Sequence, residues 1–317
     1  MESPDRSLNP FPMNPVIEIQ NMSCRFGEVE AVRGLDLTVP AGGVYAFLGT
    51  NGAGKTTTIK TLLNLLQPTS GTARILGVDS TRLGPAELAR IGYVSENQKL
   101  PERLSVRQMI AYCRALYANW DDALCQRLVD RFELPMNRPI RDFSRGMKTK
   151  AALLVSLAYR PELLLMDEPF AGLDPLVRDD LVQGMLELSE QENWTVFISS
   201  HDIDEVERLA DHVGMIDHGT LSLSESSDSL RTRFRRVDAI FSDGPPPLPE
   251  SFRDMLFPEI SGLAARWIEK DYTDDEALAG RIKAHLPQCK AWTSSPLPLR
   301  DIFITLTRAQ RTTPPPL

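Results

Sequence analysis

The chain has 317 residues, 42% of them hydrophobic and 25% charged, with a net charge of −8; this suits a soluble globular protein of about two domains. The acidic balance argues against nucleic acid or an anionic membrane surface as a direct partner. Cys24, Cys113, Cys125 and Cys289 form no CxxC pair, which speaks against a cysteine zinc site or a disulfide framework and fits a reducing, cytoplasmic setting.

Residues 1–15, MESPDRSLNPFPMNP, carry acids and prolines but no apolar segment. They read as a disordered tail rather than a signal peptide. VIEIQ at 16–20 and LDLTV at 35–39 alternate as half-buried strands do, and VYAFL at 44–48 is a near-continuous apolar strand. In the next segment Ile59, Leu62, Leu63 and Leu66 recur at helical spacing, so an amphipathic helix is expected up to the stop at Pro68, Ser70 and Gly71. A mostly helical stretch runs from about Val106 to Tyr159, followed by apolar strands LLLM at 163–166 and TVFIS at 195–199. Such uninterrupted strands belong in a sheet covered on both faces by helices, an α/β architecture. The most apolar helix, AALLVSLAY at 151–159, is about half the ~18–20 residues needed to cross a bilayer. Any membrane role must therefore pass through a partner.

The composition changes after Gly219. SLSESSDS at 222–229 reads as a polar linker and GPPPLP at 244–249 as a Pro-rich break. VDAIF before it and GLAARWIEK after it look like strands, and DDEALAGRIKAHL and LRDIFITLTRA like helices. Residues 223–317 are thus expected to form a small α+β appendix.

GTNGAGKTT, from Gly49 through Thr50, Asn51, Gly52, Ala53, Gly54, Lys55 and Thr56 to Thr57, lies between strand VYAFL and the helix. It fits GxxxxGK[ST] without a gap, and each residue type has a reason. Glycines reach positive φ and let the backbone approach a ligand closely. Successive amides and the helix N-terminus then attract an anion. Lys55 supplies a charge for terminal phosphates and Thr56 a hydroxyl for Mg²⁺. The alternative is an ordinary glycine-rich turn.

LLLM ends in Asp167 and Glu168. Asp167 is placed to hold a metal shell, and Glu168 to act as general base on water. TVFIS ends in Ser199, Ser200 and His201, and His201 is a candidate for reaching a γ-phosphate. Ligands in open α/β sheets sit beyond the carboxyl ends of strands, and three apolar strands here end in a phosphate loop, an acid pair and a histidine.

With these residues in view, positions 16–222 resemble the P-loop ATP-binding cassette of ABC transporters, with a helical subdomain at about 97–160. The most specific element is FSRGMKTKAAL at 143–153, similar to the signature motif whose commonest form is LSGGQ. Ser144 and Gly146 fall on its serine and second glycine, while Arg145 and Met147 stand for the first glycine and the glutamine, a variant of the drug- and antibiotic-exporter branch. The resemblance implies ATP and Mg²⁺, clamped in a head-to-tail dimer between the phosphate loop of one cassette and the Ser144 helix tip of a second. It further implies Asp174, in AGLDP, at that interface, and Phe26, in CRFG, stacked on adenine, although Phe26 also reads as one more apolar strand residue. Glu96, in IGYVSEN, takes the place of the family's glutamine as a candidate Mg²⁺ or water contact; Gln98, two residues on, is the alternative register. The implied setting is the cytoplasmic face of the cell membrane, on an integral membrane permease that exports its cargo. A cassette serving a soluble assembly complex is the rival reading.

Overall fold

The computed structural model describes residues 15–191, 194–242 and 255–312. The tail expected at 1–15 falls outside these apart from Pro15, and so does the Pro-rich break at 244–249. Contacts divide the chain into two units, Met1–Ser224 and Glu225–Leu317.

In the first unit, β1 (Ile17–Phe26), β2 (Val29–Val39), β4 (Ser70–Ile75) and β5 (Val78–Asp79) form an antiparallel sheet ordered β2-β1-β4-β5. A second sheet holds β3 (Gly43–Leu48), β6 (Ile91–Ser95), β7 (Leu163–Asp167), β8 (Thr195–Ser200), β9 (His212–Asp217) and β10 (Thr220–Ser226), ordered β10-β9-β3-β8-β7-β6. From β9 to β6 the pairs are parallel. β3, β7 and β8 are buried almost throughout, which explains why their sequences are apolar without alternation. Ile17, Val32, Leu37, Phe47, Ile59, Leu62, Leu165 and Phe197 share one core that joins the two sheets to α1 (Lys55–Leu62).

Helix α1 is shorter than its apolar spacing suggests. Asn64 sits in the left-handed region at φ 57° and ends the helix, as asparagine often does at a C-terminus. Leu65 is left 61% exposed and Leu66 half-buried. Next come the short α2 (Pro85–Leu88), and then α3 (Val106–Leu116), α4 (Asp122–Arg131) and α5 (Arg145–Leu157) in the expected helical stretch. Side-chain oxygens start three helices: Ser105 accepts from Gln108 N, Asp121 from Leu124 N and Ser144 from Met147 N.

Helix α6 (Pro175–Gln191) begins beside α5. Gly146 is buried, and a Cβ there would stand 2.4 Å from Val177 Cγ1. Gly146→Ala should therefore cost about 1–3 kcal/mol through overpacking, readable as a lower denaturant midpoint with the slope unchanged. A midpoint equal to wild type would show that α5 and α6 do not meet this closely.

The expected polar linker at 222–229 is instead the end of β10 and the start of α7 (Ser227–Arg233), capped by Ser226 accepting from Ser229 N. The second unit continues with β11 (Arg235–Phe241), β12 (Met255–Ser261), β13 (Ala264–Glu269), α8 (Asp275–His285), β14 (Cys289–Pro296) and α9 (Leu299–Thr312). Its antiparallel sheet runs β12-β13-β11-β14. Trp267, Phe241, Val237, Leu278 and Ile282 form its core.

Candidate functional site

Parallel pairing aligns the strand ends. Leu48 lies opposite Ser200, Ser199 opposite Asp167, and Asp167 opposite Ser95. The residues that follow these strands therefore emerge along one edge: Gly49 after β3, Glu168 after β7, His201 after β8 and Glu96 after β6.

Within the phosphate loop, Thr50, Asn51 and Gly52 form an exposed crest, whereas Gly49, Ala53, Gly54 and Lys55 are buried. Gly52 and Gly54 have φ of 85° and 111°, which side chains with a Cβ rarely adopt. A Cβ on Gly49 would come within 2.4 Å of the Ile216 carbonyl oxygen. Gly54 caps α1, and the buried lysine begins it. Lys55 Nζ donates to the carbonyls of Gly49, at 2.6 Å, and Thr50, at 3.2 Å. It also pairs with Glu168 Oε1 at 3.0 Å.

Thr56 Oγ1 donates to Asp167 Oδ1 at 3.0 Å, and Ser199 Oγ to the same oxygen at 2.8 Å. Burial pushes the Asp167 carboxyl above its ordinary range, partly offset by these two hydroxyls. Glu168 is a non-glycine residue at φ 51°, a conformation that costs about 1–3 kcal/mol and persists only where neighbours enforce it. Strand β8 does so: the Glu168 amide donates to Ser199 O at 3.2 Å and Ser199 Oγ at 3.1 Å. The turn aims the Glu168 carboxylate between Lys55 and His201, whose Nδ1 donates to Oε2 at 2.7 Å. That carboxylate raises His201 above the ordinary histidine value.

Lys55, Thr56, Asp167, Glu168 and His201 thus form one connected cluster. Ser144, Asp174, Phe26 and Glu96 occupy other places. Ser144 is exposed at the tip of α5, and Asp174 is exposed with its carboxylate accepting from Val177 N at 3.0 Å. Phe26 ends β1 with half its surface in solvent, so it is not a core residue. Glu96 donates its amide to Asp167 O at 2.8 Å, while its carboxylate pairs with Arg145 at 2.9 Å. Gln98, the alternative, accepts from Ser95 N and closes the turn. Two residues that the motifs did not single out prove structural to the site. Ser199 ties both acids together, and buried Glu205 accepts from Ser200 Oγ at 2.5 Å beside His201.

A family model described as "ABC transporter" matches residues 32–171. The chain is 34% identical to the bacitracin transport ATP-binding protein BcrA of Bacillus licheniformis over 226 residues, 71% of this chain and 74% of that one. The chain belongs to the ABC transporter ATP-binding family. It is an ATP-binding subunit of that family and an ATPase. Nod factor export ATP-binding protein I of Burkholderia lata is 31% identical over 94% of this chain and 98% of its own, second unit included. A solved structure titled as the ATP binding subunit of an ABC transporter superposes with a TM-score of 0.61 at 26% identity, covering 68% of this chain and 92% of its own.

The cassette's own geometry fits ATP with Mg²⁺. Gly49 and Gly54 let the loop pack against Ile216 and Ala31, where a Cβ would clash, and beyond Gly52 the space is open. Thr56 and Asp167 present a hydroxyl and a carboxylate oxygen 3.0 Å apart, a donor pair suited to a hard cation that keeps water and phosphate oxygens as its other ligands.

Proposed function

We propose that two copies of a cassette, this chain paired with itself or with a related one, clamp ATP head to tail and drive a membrane permease that exports its cargo. The observation that carries this reading is the unbroken chain Lys55–Glu168–His201 beside Thr56–Asp167 at the strand ends. Lys55 and the loop amides hold the terminal phosphates. Thr56 and Asp167 would hold Mg²⁺, which when bound would neutralise phosphate charge, and Glu96, whose amide bonds Asp167 O, stands beside Asp167 to join that shell. Glu168 takes a proton from the attacking water. His201 orients Glu168 and supplies a donor toward the γ-phosphate. Phe26 offers a ring to the base. Ser144, the amide of Gly146 and Asp174 serve the ATP held by the other copy. The names of the relatives support export.

Among the described residues no helix is long and apolar enough to cross a membrane. The first unit does carry a groove lined by Leu65, Leu88 and Tyr93 from before Glu96 and by Tyr112, Tyr117 and Tyr159 from the helical stretch after it. Tyr112 and Leu65 are each about 60% exposed there. A short amphipathic helix of the permease fits such a surface. Co-purification in detergent with a membrane protein tests this; a soluble assembly partner in its place would overturn it.

The clamp has a sharper test. Ser144→Arg should lower ATPase activity about 100-fold, the size of losing an oriented anion contact. Mixed with Lys55→Ala, it should regain activity, because the hetero-pair retains one complete site. Activity equal to the sum of the two separate variants would overturn the head-to-tail arrangement.

A further inference from the structure

Arg145 is one of the positions at which this chain departs from the commonest signature, and Glu96 stands in the place of the family's glutamine. The fold brings them together. Arg145 Nη2 donates to Glu96 Oε1 at 2.9 Å, with the side chains 45% and 40% exposed. The guanidinium also lies against Gly172, where a Cβ would stand 2.6 Å from its nitrogen. Arg145 therefore sits where the tip of α5, the segment after β6 and the loop between β7 and α6 converge. Glu96 is itself fastened to the metal-acid strand through its amide bond to Asp167 O, 2.8 Å long. Asn97 Nδ2 donates to its other oxygen at 3.4 Å.

We propose that this pair is a charge latch: Glu96 holds Arg145 in the nucleotide-free chain, and the phosphate brought by a second copy competes for the same guanidinium. The latch rests on the head-to-tail reading above. An exposed ion pair is weak, and a multiply charged phosphate is a stronger partner for a guanidinium than one carboxylate. Exchange frees Glu96 when the copies join, so the pair sets the ATP concentration at which joining occurs.

The experiment uses the full chain in two arms. Without nucleotide, Glu96→Gln and Arg145→Ala should each raise amide exchange at residues 96–98 about threefold, the scale of an exposed ion pair, and Arg145→Lys should stay near wild type. The second arm follows ATP-dependent self-association on a Glu168→Gln background. Glu96→Gln, whose amide oxygen can still serve the Mg²⁺ shell, should lower the half-maximal ATP concentration about threefold, because a neutral amide holds Arg145 less firmly than a carboxylate. Arg145→Ala should raise it by at least as much, and the double variant should follow Arg145→Ala. A merely structural pair would shift both single variants the same way. That result, or unchanged exchange at 96–98, would overturn the latch while leaving the clamp intact. Failure of the Glu168→Gln parent to associate at any ATP concentration would overturn the clamp and the exchange together.

Discussion

A chain carrying Glu168→Gln should bind ATP and hydrolyse it roughly 10²–10⁴ times more slowly than wild type, the range for loss of a positioned general base. The amide keeps the carboxylate's size and its place between Lys55 and His201, so binding survives. With cleavage blocked, the pair should accumulate as a nucleotide-bound dimer during size-exclusion chromatography with ATP and Mg²⁺. A monomeric variant turning over at more than a tenth of the wild-type rate would refute the assignment. A second readout is independent of turnover. His201 is raised chiefly by its bond to the Glu168 carboxylate, so its titration should move toward the ordinary value near ~6.5 in the variant. The sign follows from linkage. A histidine raised in the folded state stabilises fully below its unfolded value, and that stabilisation is lost as pH rises through the folded one. Glu168→Gln should therefore lack this loss of stability above pH ~6.5. NMR titration of the nucleotide-free chain checks both points.

Lys55→Ala should reduce hydrolysis by at least 10²–10³-fold, since it removes a preorganised charge aimed at the terminal phosphates. It has a second consequence. Lys55 and Glu168 are both nearly buried, with side chains 5% and 11% exposed, so loss of the lysine leaves a buried carboxylate paired, among the described residues, with His201 alone. Removing one partner of a buried pair costs about 3–5 kcal/mol; the remaining histidine bond places this case at the lower end. Denaturant unfolding with and without nucleotide separates the two effects. Lys55→Ala should be less stable than wild type and gain little from ATP. Retention of wild-type turnover would remove the lysine from the phosphate site.

The cluster is legible because each of its segments is a short motif at the end of an apolar strand. GTNGAGKTT, the Asp167–Glu168 pair and His201 each follow an apolar strand, and the strand-end rule puts them on one edge. What connects them was not legible. Ser199 lies 32 positions from Asp167, and its role appears only once β7 and β8 pair in register. Arg145 and Glu96 are 49 positions apart, and neither residue names the other. Gly146 suggested only an amide for a ligand, yet its missing side chain also makes room for Val177. Local patterns misled twice. The spacing of Ile59, Leu62 and Leu63 carried the eye to Leu66, but Asn64 turned the chain first. At 222–229 polarity suggested a linker, although the alternation of Leu221 and Leu223 with serines is what an edge strand shows and Ser226 is a helix cap.

The shared hydroxyl of Ser199 has a consequence for how such an enzyme can change. One oxygen donates to Asp167, the acid proposed to hold the metal, and accepts the amide of Glu168, the acid proposed to activate water. Capture and cleavage are therefore mechanically wired in series, and a backbone adjustment that retunes one necessarily disturbs the other. A lineage seeking a chain that traps nucleotide without spending it would have to act on side chains such as that at 168, because drift at 199 is expected to disturb both steps at once.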